Sequence, residues 1–180
     1  MVKKYENFLK EERKLETYKF GCVLLELEIP QWNDIISKID KKDVYEPSPS
    51  YGVETDPHLT ILYGLHSDID DSKVVEIINK YKYSDFHINT LGISNFKNPG
   101  FDVVKIEVEK NNILQSFHEE LSALPNSNEF PEYKPHITIA FVNSGTSIKY
   151  LDTNFKLENL KISMIEYSKP DGQKSHFNVY

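Results

Sequence analysis

Polar and apolar residues alternate in the same way in two separate stretches of this chain. Pro57-His58-Leu59-Thr60-Ile61-Leu62-Tyr63 and Pro135-His136-Ile137-Thr138-Ile139-Ala140-Phe141 both read Pro, His, aliphatic, Thr, Ile, small or aliphatic, aromatic. A period of two is the pattern of a half-buried strand, in which side chains two apart share a face. Each His therefore shares a face with its own Thr, and the residues between them point toward an apolar core. A Pro-containing loop leads into each stretch, over residues 43–56 and 125–131.

The rest of the chain supplies a frame for these two strands. Phe20 to Ile29 reads as a strand, with Glu26 and Glu28 alternating against Val and Leu. Asn33 is a plausible cap for a short helix carrying Ile35, Ile36 and Ile39. Asp70, Asp71 and Ser72 offer capping oxygens to a helix with Val74, Ile77, Ile78 and Tyr81 at helical spacing. Strands are expected over about 86–96 and 102–108, joined by Lys97-Asn98-Pro99-Gly100. A second helix carries Ile113, Leu114, Phe117, Leu121 and Leu124. After the second His-x-Thr strand come a short helix or turn over about 147–154 and strands over about 157–168 and 174–179. This order predicts an α+β fold, with helices outside mostly antiparallel sheets. Residues 1–19, rich in Lys and Glu, read as a peripheral helix or arm, and 20–180 as one domain.

Composition narrows the partners. The 180 residues carry a formal charge of −7, and 39% are hydrophobic. A protein that tracks long RNA or DNA usually has a basic face, so the balance favours a small ligand over a long polyanion. The one cysteine, Cys22, sits in an apolar run and reads as a buried hydrophobe. No stretch is apolar enough to span a bilayer, and a cytoplasmic protein is expected.

Two histidines and two threonines around one pocket suit cleavage of a phosphodiester by a neighbouring 2′-hydroxyl. A base must take the hydroxyl proton, an acid must protonate the departing oxygen, and donors must stabilise the phosphate charge. Imidazoles titrate near neutrality and can fill the first two roles. Thr60 and Thr138 can donate to the phosphate oxygens. One His-x-Thr alone is a weak signal; two with matching flanks are a specific one. The His-x-His, His-x-x-x-His or Cys companions of a zinc site are missing from the motifs, so neither a metal nor another cofactor is expected.

On these residues the chain, over about 20–180, resembles the 2H phosphoesterases, a superfamily that includes RNA 2′,3′-cyclic phosphodiesterases and 2′,5′-oligoadenylate phosphodiesterases. The resemblance implies a bilobal fold, with two pseudo-symmetric halves meeting at a central groove. It also implies that His58 and His136 are general base and general acid, in an order the sequence leaves open, and that Thr60 and Thr138 are phosphate ligands. The segment Asp56-Pro57-His58-Leu59-Thr60-Ile61-Leu62-Tyr63-Gly64-Leu65-His66 is similar to the first motif of phage anti-CBASS phosphodiesterases, which degrade cyclic di- and trinucleotide immune signals. That likeness implies ring opening at a 3′–5′ linkage by 2′-hydroxyl attack, without a metal and, for a viral protein, in the host cytoplasm; a monomer is expected. The alternatives are an enzyme acting on RNA 2′,3′-cyclic ends or 2′,5′-oligoadenylate, and a non-catalytic protein that sequesters nucleotides.

Candidate substrate-binding residues are fewer in signal. Tyr18, Phe20, Phe96 and Tyr133 offer faces for base stacking, with core packing the commoner role for such rings. Lys134, beside the second motif, could attract phosphate, and Glu166 could accept hydrogen bonds from a base edge. His176 lies in the terminal strand, where a groove position is possible, whereas His87, assigned to a strand, and His118 read as structural.

Overall fold

The computed structural model describes residues 20–130 and 132–179, so the expected arm over 1–19, with Tyr18, lies outside the described residues. Strands β1 (Gly21–Glu28), β2 (His58–Leu65), β3 (Thr90–Asn98), β4 (Phe101–Val108), β5 (His136–Asn143), β6 (Lys161–Ser168) and β7 (Lys174–Asn178) form the sheet order β3-β4-β5-β2-β1-β6-β7, with antiparallel neighbours throughout. The α-helices are α1 (Trp32–Ser37), α2 (Asp71–Tyr81) and α3 (Asn112–Ser122). The architecture is the α+β fold that the periodicity predicts.

The two expected sheets are present as two halves, β3-β4-β5 and β2-β1-β6-β7, and they meet along one seam. There β2 and β5 pair through a single register partner, Leu59 with Ile137. The His-x-Thr strands are thus the innermost strands of the two halves. Both of the seam residues are fully buried and belong to one core with Ile61, Val74, Ile78, Leu114, Phe117, Leu121 and Ile139. The helices cover this apolar face, where the Tyr81 and Phe117 rings stack at 4.6 Å. Leu59→Ala would open a cavity where the halves join. We expect it to cost about 3 kcal/mol, read by chemical denaturation, with both of its neighbouring motif residues retained in sequence.

Local chemistry sets several boundaries. The Asp70 carboxylate accepts from the Ser72 amide and starts α2, as its position predicts. The first helix differs: it begins at Trp32 after Gln31, so Asn33 lies inside it rather than at its cap. Residues 86–89 do not extend β3. Phe86 is buried in the core, His87 takes a φ of +35°, and Asn111 donates to both of their carbonyls at 2.8 and 3.1 Å. Asn159, with φ +57°, similarly delays β6 to Lys161. Gly64 lies within β2 at φ +112°, where a Cβ would meet the Asn128 amide nitrogen at 3.0 Å. That close approach brings the 125–128 loop onto β2, with the Ser127 amide donating to the Gly64 carbonyl.

Candidate active site

The seam is also where the four motif residues meet. An antiparallel register centred on Leu59 and Ile137 sets His58 across from Thr138 and Thr60 across from His136. Residues facing one another across such a pair share a face. His58, Thr60, His136 and Thr138 therefore lie on one face, all partly exposed, while Leu59, Ile61, Ile137 and Ile139 are buried on the other. The first five positions of the two strands have the same burial pattern.

Each imidazole is held in the same way. His58 Nδ1 lies 2.9 Å from the Asp56 carbonyl oxygen and His136 Nδ1 lies 2.8 Å from that of Lys134. A carbonyl only accepts, so each Nδ1 carries the proton and donates it. In the neutral ring Nε2 is then left with its lone pair to accept a proton, and in the charged ring Nε2–H can donate one. The carbonyl is in both cases that of the residue two positions earlier, so the duplicated sequence also duplicates the tautomer. Burial above all holds His136 below the ordinary imidazole pKa; the charges of Lys105 and His58 act in the same direction, against the hydrogen bond to the Lys134 carbonyl.

The surroundings of the two histidines differ in sign. Lys105 on β4 is buried; its ammonium donates to Ser94 Oγ at 2.7 Å and Glu107 Oε1 at 3.0 Å, and lies 4.3 Å from the centre of the Phe96 ring. Phe96 stands perpendicular to His136, with centroids 5.0 Å apart. On the other side, His58 faces Glu26 in the β1–β2 register. A groove of about 1220 Å³ extends from there, lined by His58 together with Glu26, Glu28, Glu54, Asp56, Glu166, Asp171 and Lys174, and by the Tyr51 and Phe141 rings. Tyr51 packs edge-on to Phe141 at 5.1 Å, in a cluster with Tyr45 and Phe101. The 44–54 loop reaches this position by bonding to β5, with the Tyr45 and Glu54 amides donating to the Phe141 and Ile139 carbonyls.

The other sequence candidates fall in different places. Glu166 lies in the groove but is almost fully buried, and it receives hydrogen bonds from Ser168, Lys174 and His176. Burial opposes its ionisation, yet the bonds from Lys174 and Ser168 outweigh that and hold its carboxyl below the ordinary range. Glu26 is shifted the other way, raised by burial first and then by the hydrogen bond and charge of Glu166. Phe20 packs on His66 and Tyr63, with centroids 5.9 and 6.1 Å away. Tyr133 stacks on His118 at 4.2 Å and donates to the Thr60 carbonyl at 3.2 Å, bracing the first motif. The Lys134 side chain is exposed, 3.7 Å from Glu132, while its carbonyl orients His136. Cys22, expected to be buried, is only partly so, because it shares the groove-side face of β1 with Leu24 and Glu26; desolvation still pushes its thiol up to about 12, so it stays protonated.

Glu26, Glu166 and His176 place three possible ligand atoms within 4.8 Å of one another. The Lys174 ammonium, 2.8 Å from Glu166, already supplies a cation there. Lys105, Tyr51 and Phe141 were not singled out from the sequence. The placement of Lys105 in a strand between the apolar Val104 and Ile106 was the one available sign that its ammonium would be buried or paired.

Comparison with known proteins agrees with this geometry. Residues 28–165 match the family model described as the 2′-5′ RNA ligase superfamily. No curated protein matches the chain in sequence. Among solved structures, that of Usb1 from Kluyveromyces marxianus is similar with a TM-score of 0.56 at 8% identity, over 91% of this chain and 99% of that one. The same protein with uridine monophosphate gives 0.57 at 10% identity, over 91% and 100%. At these identities the likeness concerns the fold. With the family model spanning most of its length and a duplicated His-x-Thr pair on one face of the sheet, the chain belongs to the 2′-5′ RNA ligase superfamily of 2H phosphoesterases.

Proposed function

We propose that this protein is a phosphodiesterase that opens small cyclic oligonucleotides at a 3′–5′ linkage by attack of the adjacent 2′-hydroxyl. The observation that carries the reading is the register at the seam, which sets two Nε2 atoms and two hydroxyls on one face. One imidazole takes the 2′-hydroxyl proton as O2′ bonds to phosphorus. The bond from phosphorus to O5′ breaks, and the second imidazole protonates O5′. Thr60 and Thr138 donate to the non-bridging oxygens as their charge grows. The products are a 2′,3′-cyclic phosphate and a 5′-hydroxyl. The nucleophile is already attached beside the phosphorus, so proximity supplies part of the rate.

The groove's charge supports a small substrate. Six carboxylate residues and one lysine line it, so a polynucleotide continuing along it would bring phosphates against like charge. The similarity of the first motif to anti-CBASS enzymes points to cyclic di- and trinucleotide signals of bacterial antiviral defence as the substrates, a role that fits a monomer acting in the host cytoplasm. The second reading is action on RNA ends or 2′,5′-oligoadenylate, which the uridine monophosphate held by a structure of this fold favours.

Incubation with cyclic di- and trinucleotides, 2′,3′-cyclic phosphates and 2′,5′-oligoadenylate, with products identified by mass, separates the readings. Opening of a cyclic oligonucleotide at a rate well above the other substrates is expected. Turnover confined to RNA ends would move the function to the second reading. Excess chelator is expected to leave the rate unchanged, because side chains supply base, acid and charge stabilisation. A rate that collapses with EDTA and returns with a divalent ion would refute that part of the mechanism.

A further inference from the structure

Lysine is rarely buried, and only when paired. Lys105 is 3% exposed in the middle of β4. Ser94 faces it from β3 and Thr138 from β5, which puts it on the reacting face, one strand over from the second motif. Its ammonium is anchored by Ser94 and Glu107 and capped by the face of Phe96, whose ring stands against His136. At the facing position beside His58 the neighbouring strand carries the carboxylate of Glu26 instead. The duplicated motif therefore sits in an environment that is not duplicated.

We propose that Lys105 is a positioning residue that makes His136, rather than His58, the proton acceptor of the first step, acting through its charge and through Phe96. This rests on the phosphodiesterase reading above. A fixed cation close to an imidazole opposes a second positive charge there. Phe96, held by the same cation, shields the ring from water. Both effects keep His136 neutral, and its Nδ1–H bond to the Lys134 carbonyl leaves Nε2 as the acceptor. The remaining charged groups around His136 do not reverse this. His58 across the seam adds charge of the same sign. Glu107 lies opposite His136 in the β4–β5 register, but its carboxylate is engaged by Lys105 and Ser94. The Lys134 ammonium is in solvent beside Glu132. His136 then takes the 2′-hydroxyl proton, O2′ bonds to phosphorus, and His58 gives its Nε2 proton to O5′ as the P–O5′ bond breaks.

The test pairs a histidine NMR titration of the whole chain with the pH dependence of kcat/KM, for wild type, Lys105→Met, Lys105→Arg and Phe96→Leu. The His136 midpoint is expected to rise by on the order of one pH unit in Lys105→Met, and the acid limb of the rate profile to rise with it. Lys105→Arg keeps the charge and should leave both near wild type. Phe96→Leu keeps the ion pair but removes the shielding ring, and should raise both; it also serves if Lys105→Met does not fold. An unmoved His136 midpoint in the folded variants would overturn the part assigned to Lys105. An acid limb that follows the titration of His58 would overturn the assignment of the base. Failure to cleave any phosphodiester while the His136 midpoint still responds would instead refute the phosphodiesterase reading and the base role with it, because the NMR measurement needs no substrate.

Discussion

His58→Ala and His136→Ala are each expected to lower kcat/KM by about 10²- to 10⁴-fold, with substrate affinity changed far less. Both rings present Nε2 to the shared face, because both Nδ1 protons are committed to backbone carbonyls. Neither ring can replace the other, since one proton must be taken and another given in the same displacement. The double variant should therefore lose less than the product of the two single effects, as residues acting as a unit do. Affinity measured by calorimetry on the single variants separates loss of chemistry from loss of binding. A single variant cleaving at the wild-type rate would remove that histidine from the mechanism. Stability is a weak confounder here, because neither side chain belongs to the buried core formed by the residues beside them.

A substrate lacking the 2′-hydroxyl beside the scissile bond is expected to show no turnover above the limit of detection. The proposed nucleophile would be missing, and removing it takes away the advantage of an attacking group already held next to the phosphorus. The deoxy analogue should still compete with the ribose substrate, since the groove beside His58 and the threonine hydroxyls are unaffected by the change. Competition without cleavage is the informative pairing. Rapid hydrolysis of the deoxy analogue would mean that water attacks, and the two histidines would then need different roles. A 2′-O-methyl analogue should behave like the deoxy one in rate and bind less well if the pocket around O2′ is close.

Asp70 capped its helix as expected because a carboxylate accepting from an amide two residues on is a local interaction. Asn33 did not cap, because Trp32, buried and bonded to the Glu54 carbonyl, is already helical. His87 was assigned to a strand on local pattern, but the contact that decides its conformation comes from Asn111, distant in sequence. From the sequence Glu166 is a candidate to accept hydrogen bonds from a base edge. Its burial follows from Lys174 and His176 on the neighbouring strand; the turn at Pro170-Asp171-Gly172 signals that hairpin, but not the register that sets His176 opposite Glu166. Tyr133 was considered for stacking on a base; its ring stacks on His118, a partner that only the packing of α3 behind β2 provides.

Period-two alternation, a property of one stretch of backbone, was enough to put each His beside its own Thr and to turn Leu59 and Ile137 inward. The duplication of that pattern was enough to propose a paired site and its chemistry. Register across the seam, the buried ammonium next to one histidine and the carboxylates along the other side of the groove came only with the tertiary structure. They depend on which strands become neighbours and how far each slides along the next, and those choices are made by burial summed over the whole core rather than by any segment alone.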